Sequence, residues 1–94
     1  MSAQPTPRTQ PTNAPIVVIV RATDPARIAE VLRVGLGLTL RGDRVVVHVA
    51  SPLPAQAARA AATLRSFGHD VIEDASAEVV EAAIRGARAV EVWT

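Results

Sequence analysis

Two short runs, PIVVIV at Pro15 to Val20 and RVVVHV at Arg44 to Val49, constrain this chain more than any other feature. Both are continuous and mostly β-branched instead of alternating apolar with polar, so a strand made from either has two apolar faces and must be covered on both. That demand is met by a parallel sheet with helices on either side, and parallel neighbours need a long crossover between them. The intervening stretch contains RVGLGLTLRGD, Arg33 to Asp43, which has two incompatible readings. With a period of two, Val34, Leu36, Leu38 and Leu40 form the first arm of a β-hairpin. With a helical period the same residues end a long helix that Gly42 stops. Gly35 and Gly37 each cost a helix about 1 kcal/mol relative to Ala, which favours the hairpin locally. Asp24 and Pro25 decide for the helix, as an N-cap followed by the imino acid that suits the first helical position. The spacing predicts a helix from Pro25 to Arg41, with Ile28, Val31, Leu32, Gly35, Leu36, Leu38 and Leu40 supplying a broad apolar face.

Beyond Val49 the pattern repeats. Ser51 and Pro52 form a loop, Pro54 opens an alanine-rich helix to Phe67, and Gly68 ends it. A short strand is expected at His69 to Ile72. Ser76 is placed to cap a third helix with Val79, Val80, Ala83 and Ile84 on its buried stripe, and Gly86 stops it. ARAVEVWT closes the chain as a half-exposed strand, with Ala89, Glu91 and Trp93 alternating against Val90 and Val92. The fold expected is α/β: a small flavodoxin-like three-layer sandwich with a four-stranded parallel sheet in the order 2-1-3-4 and three helices. Residues 1–15, with prolines at positions 5, 7, 11 and 15 and no apolar periodicity, read as a disordered tail, leaving residues 16–94 as the domain.

Composition narrows the function classes. The 94 residues contain no cysteine, which removes disulfides, thiolate metal sites and cysteine nucleophiles. All ten basic side chains are Arg, and from Ile16 onward nine of them meet nine carboxylates. So balanced and scattered a charge lacks the basic stripe of a nucleic-acid binder, and the two aromatics, Phe67 and Trp93, offer no stacking platform. No apolar run is long enough to span a bilayer, and the first residues lack the apolar core of a secretory signal, so a cytoplasmic location is expected.

No catalytic residue, cofactor motif or metal-ligand spacing can be assigned. In the 2-1-3-4 order the ligand crevice would lie beyond the carboxyl ends of strands one and three, bringing Arg21, Thr23, Asp24, Glu73 and Asp74 to one rim. Carboxylates gathered there would hold a hard cation or share a proton; equally, Asp24 is a helix cap and Glu73-Asp74 a polar loop. His48, in the second strand, and Ser51 beyond it would join that rim as acid–base and polar groups, although a strand histidine is more usually packed in a core. The G-x-G of VGLG falls inside a helix and lacks the strand-to-helix turn of a dinucleotide loop. Trp93, with little chain beyond it, is expected to anchor an interface.

With the element order in place, IVVIVRATDPARIAEVLRVGLGLTLRGDRVVVHVASP, RSFGHDVIED and GARAVEVWT resemble the DsrE/DsrF-like family of small sulfur-relay proteins. The resemblance implies a flavodoxin-like fold, homo-oligomers or hetero-oligomers with a paralogue, and a link to persulfide transfer. Catalytic members carry a cysteine beyond a strand end, where this chain has ASPLPAQ and EDAS. A persulfide needs a thiolate, so this chain cannot carry sulfur itself. The expectation is a non-catalytic oligomerisation or partner-binding module. The alternative is a small-molecule-binding, metal-binding or hydrolytic protein using the acidic rim.

Overall fold

Both apolar runs form strands that are buried along their whole length. The computed structural model describes residues 14–94, in which seven elements follow one another: β1 (Ile16–Val20), α1 (Pro25–Thr39), β2 (Val45–Val49), α2 (Ala55–Ser66), β3 (Asp70–Ile72), α3 (Ala77–Arg85) and β4 (Ala89–Trp93). The expected tail lies outside the described residues except for its last two. Of these, Pro15 already belongs to the sheet, its carbonyl accepting from the Arg88 amide at 2.8 Å.

α1 settles the two readings of Val34 to Leu40. The Asp24 carboxylate accepts from the Arg27 amide at 3.0 Å, Pro25 occupies the first turn, and the helix runs unbroken through Gly35 and Gly37. It ends at Thr39, two residues before the expected stop, and Gly42 then takes a φ of 85° that other residues rarely adopt. Gly35 is buried against the sheet and α2, where a Cβ would stand 3.8 Å from Val47 and 3.9 Å from Val45 and Leu64. Its small size lets α1 lie close to both neighbours, and that packing outweighs the propensity cost.

All four strands are parallel, which bears out the α/β sandwich, but their order is β3-β2-β1-β4 and not 2-1-3-4. The reason is visible in the strands. β1 and β2 are apolar on both faces and take the centre, whereas β3 is short and begins with Asp70, and β4 carries Glu91, so both suit an edge. An order with β3 inside would have buried the more polar strand and exposed a fully apolar one.

The two faces of the sheet are covered unequally. On one, α1 and α2 pack against Ile16, Val18, Val20, Val45, Val47 and Val49 to make the main core. On the other, α3 alone covers Val17 and Ile19 with Ala75 and Val80. α3 is a thin cover: of its expected stripe only Val80 is buried, Val79 and Ala83 are half-buried, and Ile84 is exposed. Ser76 takes the N-cap position, yet its side chain makes no capping bond; instead its amide donates to the Asp74 carboxylate at 2.9 Å.

Candidate functional site

The change of strand order moves the crevice. Connections to the two faces part between β1 and β4, so the switch point lies there and not between β1 and β3. Asp24 is beside this crevice, after β1, whereas Glu73 and Asp74 follow β3 at the far edge, with β2 in between. The expected rim is therefore split, and each carboxylate is engaged locally. Asp24 caps α1, Glu73 accepts from the Leu53 amide at 3.0 Å, and Asp74 accepts from the Ser76 amide. The Ser76 amide, followed by the Ser76 hydroxyl, holds the Asp74 carboxyl below its ordinary value. Among the described residues no group of three or more His, Asp or Glu side chains is arranged to hold a metal ion.

His48 is buried on the α3 side of the sheet, in register with Ile19 and Ile72, with its Nδ1 3.0 Å from the Asp74 carbonyl oxygen. A carbonyl only accepts, so Nδ1 carries the hydrogen in this contact. The ring thus fastens the loop before α3 to β2. Ser51 is half-buried and Thr23 exposed in their loops, and neither hydroxyl makes a hydrogen bond with another described residue. His69 is less of a surface residue than its position suggests, because its Nδ1 accepts from the Val45 amide at 3.2 Å.

The crevice between β1 and β4 is itself occupied by the chain's own side chains. The Arg27 guanidinium lies 5.0 Å from the centre of the Trp93 ring, bonds Glu30 at 3.0 Å, and reaches the Thr94 carbonyl oxygen. Trp93 is half-buried against the main core, and its Nε1 donates to Glu91 at 3.2 Å. Part of its apolar surface is therefore used within the chain. The loop Arg21-Ala22-Thr23-Asp24 has no glycine to bring its backbone against a phosphate, and the Asp24 carboxylate already satisfies the start of α1. Arg21 turns away to donate to the Ala75 carbonyl at 3.1 Å.

The exposed apolar surface lies elsewhere. On β4 it is the valines that face outward: Val92 is 60% exposed and Val90 also exposed, while Glu91 and Trp93 on the opposite face are half-buried. The alternation of ARAVEVWT places these residues on two faces but does not say which face is covered. That depends on α3 crossing over β1 and stopping short of β4.

Comparison of the chain with known protein families, curated proteins and solved structures finds no match.

Proposed function

We propose that the chain is a non-catalytic assembly module, of the kind its DsrE-like resemblance implies, that joins to a second copy or to a paralogue through β4 and the adjoining side of α3. The observation that carries this reading is the pair of exposed valines, Val90 and Val92, on an edge strand, with Ile84 of α3 exposed as well. Half of the main-chain groups of an edge strand point away from its sheet, and pairing with another strand satisfies them while burying the exposed side chains. Antiparallel pairing of β4 with its counterpart is the isologous solution, giving an eight-stranded sheet across a two-fold axis. Trp93 would stiffen the edge from the opposite face. Any connection with sulfur relay would run through a cysteine-bearing partner, since this chain has no thiol.

The acidic-rim alternative gains no support, because its carboxylates are separated and locally bonded. The test is the mass in solution, by light scattering behind a sizing column at several concentrations, for the full chain and for Val92→Arg. A defined oligomer that Val92→Arg reduces to monomer is the expected result. A monomer at every concentration, alone and mixed with any paralogue encoded beside it, overturns the proposal.

A further inference from the structure

The outer surface of the α1/α2 layer carries a feature that neither the β4 edge nor the sheet crevice uses. A groove of about 250 Å³ runs between the two helices, with Arg33 and Leu36 on the α1 wall and Arg59 and Thr63 on the α2 wall. Leu40 follows Leu36 by one turn. Phe67 follows Thr63 by one turn, and its amide donates to the Thr63 carbonyl at 3.2 Å, so it keeps the helical phase. Both walls thus continue toward the amino edge of the sheet and end in the two most exposed large apolar side chains among the described residues, Leu40 at 87% and Phe67 at 72%. From Arg33 to Leu40 the wall is about 10 Å long, two turns of helix.

Charge says what fits there. Arg27, Arg41, Arg44 and Arg88 are paired with carboxylates, and Arg21 and Arg65 donate to backbone carbonyls. The guanidinium groups of Arg33 and Arg59 make no ion pair or hydrogen bond with the described residues, and no carboxylate lines the groove. A second copy laid on the same face would set arginines against arginines. Residues 1–13 of this chain contain no carboxylate and no apolar stripe, so they do not match either. A small molecule is a poor fit as well, because sites that engulf such ligands are usually about 300–1,000 Å³, whereas this groove is smaller and partly open to solvent.

We propose that the groove receives an amphipathic helix of a different protein, apolar along one stripe and flanked by carboxylates. Apolar side chains at i, i+3 or i+4, and i+7 of that helix would sit between Leu36, Leu40 and Phe67, and its acidic flanks would meet Arg33 and Arg59. The surface is separate from β4, so this proposal does not depend on the assembly reading.

The test uses the full chain, isotopically labelled, titrated with a synthetic peptide of about four helical turns that has Leu at i, i+3, i+4 and i+7 and Glu on both flanks, about the length of a short globular-protein helix. A twin peptide replaces every Glu by Lys. The expected result is that only the Glu peptide shifts the amides of Arg33, Leu36, Arg59 and Phe67. Arg33→Glu with Arg59→Glu should weaken that peptide about tenfold and admit the Lys twin, as two exposed charge pairs are reversed. Leu40→Ala with Phe67→Ala should weaken the Glu peptide with no change in charge preference. Both pairs of substitutions are at exposed positions, and an unchanged spectrum elsewhere verifies the fold. Absence of groove shifts with either peptide, equal shifts with both, or shifts confined to β4 would overturn the proposal.

Discussion

Gly35 shows how a residue that weakens a helix in isolation is accommodated by its packing. A Cβ there would meet Val45, Val47 and Leu64 at ordinary contact distance, with no atom inside 3.8 Å. Gly35→Ala should therefore recover the helix propensity without a clash, stabilising the fold by up to about 1 kcal/mol. That corresponds to a rise in Tm of about 4–8 °C for a domain of this size, read by thermal unfolding. Gly35→Leu, which must push into the same three side chains, should destabilise by about 1–3 kcal/mol. If Ala destabilised as much as Leu, the close approach of α1 to the sheet would be tighter than these distances allow. Asp24 is a second residue whose role is fixed by one bond. Asp24→Ala removes the acceptor of the Arg27 amide and should cost about 1 kcal/mol by denaturant unfolding. The cap was clear in the sequence because Asp24 precedes Pro25, whereas Gly35 by itself pointed to the hairpin and its place in a helix followed from that cap and from the long crossover that parallel strands need.

Among the elements, the turn between α1 and β2 is tied to the start of β4 by Asp43, whose carboxylate is held by Arg41 at 2.8 Å and by Arg88. The Arg41 guanidinium, and after it that of Arg88, hold the Asp43 carboxyl below its ordinary value of 3.8. A carboxyl depressed in the folded state contributes stability that is present above its unfolded pKa and is lost as the pH falls through its folded pKa. Asp43→Asn should therefore lower Tm at neutral pH, with the difference shrinking as the solution is acidified below the ordinary aspartate range. Added salt should reduce it too, because the site is near solvent. A gap of constant size from neutral to strongly acid pH would mean that the carboxylate charge is not what ties these elements. The strand order expected from the fold class, 2-1-3-4, is overturned, although the polarity of the strands agrees with the observed one: PIVVIV and RVVVHV lie in the middle, and the short strand starting at Asp70 on an edge. The site was less legible because it depended on that order. Once β2 stands between them, Asp24 and Glu73 no longer share a rim, and nothing in their local sequence records the separation. His48 was placed correctly in a strand, but its bond to the Asp74 carbonyl joins elements far apart in the chain, a pairing no local pattern encodes.

For the whole molecule, the unequal cover of the two sheet faces has a thermodynamic consequence. A domain this small buries a limited core, and α3 leaves Ile84, Val90 and Val92 in contact with water. If β4 pairs with a second β4, unfolding is coupled to dissociation, and Tm must rise with protein concentration. For a dimer that unfolds only as it separates, a tenfold rise in concentration adds about 1.4 kcal/mol per dimer, half of it per chain, or about 3–5 °C in Tm. Val92 is mostly exposed, so Val92→Arg should change the stability of the separate chain by no more than about 0.5 kcal/mol. The variant should thus show a Tm independent of concentration, meeting the natural chain at high dilution and falling below it as concentration increases. Calorimetry across two decades of concentration measures both curves. Parallel, concentration-independent curves would place the stability of the fold within one chain and remove the β4 edge as its means of assembly. Curves that converge only on dilution would locate the missing cover of the α3 face in a second molecule.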